Sequence, residues 1–346
     1  MSASQGKLAV VIPAYNAAST LSDCLNALAK SNRKPDAIIL FDDGSTDDTA
    51  SIARSAGAVV VGNGGSQQGP AIGRNYAAGL TEADTIVFVD ADVAVHPQAL
   101  GRLEEPLVRT DAVAAFGSYD DHPKSRRLSA LYANLRHHWV HQQGRTEAFT
   151  FWSGLGAIRR ATFQTHRGFN PMFEEPSIED VELGIRIVEG GGRIVLVKDA
   201  LGTHHKDWGL GQLWKTDIFR RAIPWARLMR DGRGKANDLN ISKRERAAAV
   251  CAHLVWVAAL FTAWRPSLWP FVPLAAAAYI ALNFRFLAFL FRTAGLRAGL
   301  ADIALHWCYH LYASVTYALV TGGLLPFQTR NRMAQASAGS TQATRP

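Results

Sequence analysis

Between residues 8 and 90, short apolar runs alternate with segments whose apolar positions recur at helical spacing. Leu8–Ile12 (LAVVI) runs into Pro13 and reads as a buried parallel strand entering a loop. Leu21, Leu25 and Leu28 then follow Ser19-Thr20, residue types that cap helix starts. Ala37–Phe41 predicts a second strand, Thr46–Ala56 a helix, Ala58–Val61 a third strand, Pro70–Leu80 a helix and Thr85–Val89 a fourth strand. This alternation predicts an α/β fold with a mostly parallel central sheet and helices on both faces. Such sheets bind ligands beyond the carboxyl ends of their strands. Two acidic clusters, Asp42-Asp43 and Asp90-Ala91-Asp92, stand at those ends. Beyond Ala94 the pattern weakens. It places a strand in Leu107–Gly117, a basic, aromatic-rich helix over Ser125–Gln142, a helix over Ile178–Glu189 and a strand over Arg193–Val197.

Three long hydrophobic segments follow, Ala247–Trp264, Leu268–Phe291 and Ile303–Leu325, each near the ~20 apolar residues of a spanning helix. All three carry polar interruptions: His253 in the first, Asn283 and Arg285 in the second, His306 and His310 in the third. Trp264, Trp269 and Trp307 resemble interfacial anchors. Spanning helices, in-plane amphipathic helices and a soluble helical bundle all remain open. The domain organisation expected is a catalytic domain over 1–240, a membrane-associated region of about three helices over 241–328, and a disordered tail over 329–346.

Composition refines this in two places. The 346 residues are 48% hydrophobic and 19% charged, which excludes global disorder. The net charge of +8 is concentrated between Arg220 and Arg246, where nine Lys/Arg face three acids immediately before the first hydrophobic segment. That position predicts a cytoplasmic membrane-surface flank and no nucleic-acid partner. Arg292 and Arg297 would return to the same side. Cys24, Cys251 and Cys308 lack metal or redox spacing and fit a reducing compartment. Leu8–Ala14 is too short for a signal peptide. The expected location is therefore the cell inner membrane, with the catalytic domain cytoplasmic.

The most informative chemistry is Asp90-Ala91-Asp92. Carboxylates at i and i+2 where a strand gives way to a loop can converge on Mg²⁺ or Mn²⁺, which would neutralise charge on a departing diphosphate. Asp43, at another strand end, can accept from a base N–H. Glu179-Asp180 pairs two acids, and neighbouring negative charge raises a carboxyl pKa toward that of a general base. The alternative is an acidic first helical turn that complements the dipole. Thr203-His204-His205-Lys206 adds a histidine pair, structural or at the site.

In order, VVIPAYN (Val10–Asn16), DDGSTD (Asp42–Asp47) and DAD (Asp90–Asp92) resemble the family 2 glycosyltransferases, whose nucleotide-binding half has the GT-A fold. Gly69–Asn75 (GPAIGRN), Gly154 before Arg159-Arg160, Gly168-Phe169, and Glu179-Asp180 with Leu183 and Gly190 extend the resemblance over residues 7–205. The resemblance implies a nucleotide-diphosphate sugar donor and a site in which Pro13 and Tyr15 line the base pocket and Asp43 bonds the base. It implies that Arg74 reaches base or phosphates, and that Glu179 belongs to the nucleotide-sugar site. Asp90 faces ribose and metal, Asp92 ligates the metal, His204 approaches metal or diphosphate, and Asp180 is the catalytic base. Single-step transfer with inversion is implied too. The acceptor expected is lipid-linked or a glycan.

The chain departs from processive relatives, because Gln212, Arg220-Arg221 and Trp225 lack the Q-x-x-R-W spacing; processive synthesis is not expected. Arg220 and Arg221 are left as contacts for phosphates or lipid headgroups. Gly62–Gly69 lacks the G-x-G-x-x-G register of dinucleotide binding. Two competing readings are a phosphatase-like hydrolase with Asp90 as nucleophile, disfavoured by Ala94, and a non-catalytic membrane scaffold, disfavoured by the joint presence of Asp43, Asp90, Asp92 and Asp180.

Overall fold

The computed structural model describes residues 6–62, 65–173, 175–234 and 242–325. Strands β1 (Leu8–Ala14), β2 (Ala37–Asp42), β3 (Val59–Gly62) and β4 (Thr85–Val89) pair in parallel, in the order β3-β2-β1-β4. Helices α1 (Ala18–Lys30), α2 (Thr49–Ser55) and α3 (Pro70–Gly79) connect them. All four predicted strands are present. The second helix starts at Thr49 rather than Thr46 because the Thr46 amide donates to Asn16 Oδ1 at 2.8 Å, committing it to the loop. Strand order reverses about β1, so the ends of β1, β2 and β4 surround a crevice.

The remaining elements are β5 (Val93–Val95), α4 (Ala99–Arg109), β6 (Ala112–Tyr119), α5 (Leu128–Gln143), β7 (Glu147–Ala148), β8 (Leu155–Arg159), α6 (Arg160–Thr165), α7 (Glu179–Glu189) and β9 (Arg193–His204). They extend the sheet to β3-β2-β1-β4-β8-β6-β9-β5, with β7 on β9. β8 is antiparallel to both β4 and β6, and β5 is antiparallel to β9. The strand expected in Leu107–Gly117 begins only at Ala112, because Leu107 completes the buried face of α4 with Leu100 and Leu103. Two cores cover the sheet. Leu21, Leu25 and Leu28 of α1 pack on one face with Val10, Ile12 and Val87; Phe41, Phe88, Phe116, Phe151 and Phe169 fill the other with Leu183 of α7.

After β9 come α8 (Leu210–Lys215), a π-helical stretch (Thr216–Ala222), α9 (Ile223–Arg230), α10 (Lys243–Trp264) and α11 (Phe271–Thr321). α11 breaks at Gly295, whose φ of 81° is open to glycine without a Cβ penalty, so the last two predicted segments are two arms of one hairpin. The first arm is not uniformly lipid-like, since Phe286, Leu287 and Leu290 pack on Leu131, Tyr132 and Leu135 of α5. The expected boundary at 240 and the tail over 329–346 lie outside the described residues.

Helix α7 approaches the sheet through Gly184, where a Cβ would lie 2.1 Å from the Phe151 amide nitrogen and 2.4 Å from the Thr150 carbonyl carbon. Both neighbours are backbone and cannot rotate away. Gly184→Ala should therefore cost about 1–3 kcal/mol of unfolding free energy. Gly79→Ala, whose Cβ meets nothing within 4 Å, should cost nothing. Denaturant melts of both variants check this; equal midpoints would show that α7 is free to shift.

Candidate active site

The loops after β1 and β2 are laced together by side chains. Asn16, at φ 47°, donates its amide to Ser45 Oγ at 2.9 Å, while Ala17 and Ala18 donate to Thr49 Oγ1 and Asp47 Oδ2 at 2.8 and 3.0 Å. This leaves Pro13 at the strand end and Tyr15 46% exposed beside it, a ring free to stack on a ligand. Asp43 is buried, and its two oxygens accept the amides of Gln68 and Gly69 at 2.7 and 2.8 Å. Gln68-Gly69, the end of the glycine-rich stretch set aside as a dinucleotide motif, is thus pinned to the end of β2 by Asp43.

Arg74 projects from α3 between two elements. Its Nη2 donates to Asp90 Oδ1 at 2.7 Å and its Nη1 to Glu179 Oε1 at 2.9 Å; Arg74 and Glu179 are buried, Asp90 only partly. Burial opposes the guanidinium charge, but the two carboxylates outweigh it and hold the Arg74 pKa above its ordinary value. Arg74 and Glu179, expected at the ligand, here meet each other, and Arg74 also meets Asp90. Next in sequence, the Asn75 amide exchanges two hydrogen bonds with the Phe169 backbone, at 2.7 and 2.8 Å. That contact unites two of the motif segments.

The backbone brings Asp92 and His204 together. Val93 of β5 pairs with His204 of β9, and the His205 amide donates to the Asp92 carbonyl at 2.8 Å. His204 Nε2 then lies 3.7 Å from Asp92 Oδ2, and its ring stacks on Tyr119 at 4.2 Å. Lys206 Nζ is 3.5 Å from the same oxygen. Burial raises the Asp92 pKa, yet Lys206 and His204 more than offset it and hold the carboxyl below its usual range. A cation about 2 Å from each of two ligands needs them roughly 3–4 Å apart, so the Asp92–His204 spacing fits one.

Asp180 opens α7. Its Oδ2 accepts the Ser153 amide at 3.0 Å and the Ser153 hydroxyl at 3.2 Å, and its Oδ1 accepts the Val181 amide at 2.8 Å. Burial, then the charge of Glu179, pushes its pKa up to about 6, against the pull of the Ser153 amide and Arg74. The adjacent Gly154 carbonyl accepts the Asp90 amide at 3.1 Å. One turn at the start of β8 therefore touches both Asp180 and Asp90. The sequence singled out Gly154 but missed Ser153 and Lys206; no spacing signal marks either, because both act across the fold.

Arg220 and Arg221, left open between phosphates and lipid, have protein partners. Arg220 pairs with Glu175 at 2.9 Å and Arg221 with Asp217 at 3.3 Å.

The sheet order, with strand-end carboxylates around the crevice, is that of a GT-A fold. Residues 9–167, somewhat under half of the chain, match the family described as Glycosyl transferase family 2. The succinoglycan biosynthesis protein ExoU of Rhizobium meliloti is 38% identical over 100 residues, 27% of this chain but only 28% of that protein. The O-antigen chain rhamnosyltransferase RfbN of Salmonella typhimurium is 24% identical over 254 residues, 67% of this chain and 77% of that one. The structure of the mannosyltransferase PcManGT from Pyrobaculum calidifontis, in complex with GDP-Man and Mn²⁺, superposes with a TM-score of 0.50 at 19% identity, over 90% of this chain and 87% of that chain.

Removing the guanidinium should leave buried Glu179 without a counter-ion. Arg74→Met is expected to lower unfolding free energy by about 3 kcal/mol, and adding Glu179→Gln should restore part of that. Urea melts of the single and double variants measure it. An unchanged single variant would mean that the buried pair contributes nothing to the fold.

Proposed function

We propose that this protein is a glycosyltransferase that moves a sugar from a nucleotide-diphosphate sugar to a lipid-linked or glycan acceptor, with metal dependence and inversion, at a membrane face. The observation that carries the reading is the Ser153-Gly154 turn, which holds the Asp180 carboxylate beside the Asp90-Ala91-Asp92 corner. Tyr15 and Pro13 would face the base, and the remaining lone pairs of Asp43 would accept its N–H. Arg74 and Glu179 hold the carboxylate frame rather than the phosphates.

Asp92, Asp90 and His204 would hold the divalent ion. Two carboxylates with an imidazole suit Mn²⁺ better than Mg²⁺, which favours oxygen alone. When bound, the ion neutralises charge on the departing diphosphate. Asp180 accepts the acceptor hydroxyl proton as that oxygen bonds the anomeric carbon and the bond to the diphosphate oxygen breaks. The complex of the similarly folded mannosyltransferase with GDP-Man and Mn²⁺ supports this assignment. The phosphatase-like alternative is disfavoured because Ala94 stands where the opening motif of such hydrolases carries Thr or Val.

Membrane association is supported by α10 and α11, both long and apolar enough to cross a bilayer. Most of α10 is exposed, which favours a lipid surface around it over the core of a soluble bundle. Leu260 and Trp264 are 74% and 77% exposed, a cost in water that lipid removes. The basic stretch before α10 favours a cytoplasmic catalytic domain on the inner membrane.

Purified protein screened against nucleotide sugars with Mn²⁺ or Mg²⁺, followed by extraction of labelled lipid, tests the reading. Asp180→Asn should lower transfer by about 10²–10⁴-fold while retaining nucleotide binding, and Asp92→Asn should abolish metal-dependent turnover. Near wild-type transfer by Asp180→Asn would remove it as the base.

The raised pKa also sets a pH dependence. A protonated carboxyl cannot take the acceptor proton, so kcat/KM should fall as pH drops through about 6. Ser153→Ala removes a hydrogen bond to the charged form and should move that midpoint higher. A flat profile between pH 5 and 7 would contradict Asp180 as the titrating base.

A further inference from the structure

Between the π-helical stretch, α9, α10 and the second arm of α11 lies a cavity of about 670 Å³. Its lining carries Arg136 and Arg221, two guanidiniums that share the one carboxylate of Asp217, together with Glu245. Both carboxylates are already engaged. Asp217 accepts Arg136 Nη2 at 2.6 Å, Tyr312 Oη at 2.6 Å and Arg221 Nη1 at 3.3 Å, and Glu245 meets His310 Nε2 at 3.2 Å.

Two donors remain without partners among the described residues: Nη1 of Arg136 and Nε1 of Trp225. Both residues line the cavity, and the Arg136 side chain is 91% buried, its exposure being 9%. A guanidinium and an indole offer only N–H. A ligand that satisfies them must therefore bring acceptor oxygens, and two guanidiniums on a single carboxylate favour an anion. The opposite wall is apolar: Ala249, Val250 and Ala313 continue toward the exposed side chains of α10, where Leu254 and Val257 face outward.

We propose that this cavity binds a phosphate-bearing lipid, with the phosphate against Arg136, Arg221 and Trp225 and the hydrocarbon chain along α10. Arg221 also stands over the Trp208 ring at 5.6 Å, and Trp208 meets His204 edge-on at 6.3 Å. The headgroup is thus one aromatic layer from the Asp92–His204 corner. The inference rests on the reading of α10 and α11 as membrane-embedded, and it deepens the acceptor class from lipid-linked or glycan to lipid phosphate.

Calorimetric titration of the full chain in a non-ionic detergent tests it with three probes: decyl phosphate, inorganic phosphate and decanol. Decyl phosphate should bind about tenfold tighter or more than either partial probe. Arg221→Gln should weaken it by a similar factor, and Ala313→Trp, which fills the cavity, should abolish it, with melting temperatures reported alongside. Inorganic phosphate or decanol binding as tightly as decyl phosphate overturns the proposal, as does a folded Ala313→Trp variant with unchanged affinity. If Arg221→Gln does not fold, the three probes and Ala313→Trp still decide. Turnover of nucleotide sugar on the same preparations separates the readings. Turnover without decyl phosphate binding removes only the cavity assignment, and binding without turnover removes only the transfer assignment.

Discussion

Arg74 ties together three pieces of chain far apart in sequence. It rises from α3, takes Asp90 at the end of β4 and takes Glu179 at the start of α7, with distances of 2.7 and 2.9 Å. A guanidinium with two carboxylates at fixed fork angles sets orientation as well as distance. The buried Glu179 would be very costly unpaired, so the helix that carries Asp180 cannot drift from the strand that carries Asp90. Gly184 serves the same end by letting α7 lie directly on the Thr150–Phe151 backbone.

The second constraint is topological. β8 runs antiparallel between β4 and β6, which delivers Ser153-Gly154 to the carboxyl end of β4. β9 shifts register against β6 between Phe116 and Ser118, and continues far enough to pair its last residues with β5. Without that extension His204 would not face Asp92. The carboxylate of Asp180 and the imidazole of His204 are therefore products of strand direction and register.

The helical region turns apparent defects into contacts. Among the described residues, each polar residue that interrupts the hydrophobic segments, Arg285 apart, has an intramolecular partner. His253 meets Ser314 at 2.8 Å, His306 lies between Asn283 at 3.0 Å and Tyr132 of α5 at 3.0 Å, and His310 meets Tyr279 at 3.1 Å. In an apolar environment such pairs are needed to keep polar atoms satisfied. Tyr132 carries this network into the α/β domain, so the helices dock on that domain rather than trail from it.

The sequence by itself determined the four parallel strands, the acidic strand ends and the apolar C-terminal helices. Each depends on local periodicity or on a short run of residues, and local terms survive without knowledge of the rest of the chain. Asp43, Asp90, Asp92 and Asp180 were legible because strand-end position and pairing of acids can be read along the chain. Ser153, Lys206, the role of Arg74 as an internal tie, and the cavity floor of Arg136 and Trp225 were not. Arg136 and Trp225 sit on separate helices, and Ser153 and Asp180 on a strand start and a helix start. Only tertiary structure decided these, because an ion pair or hydrogen bond across the fold depends on distance in space, and nothing in local spacing encodes it.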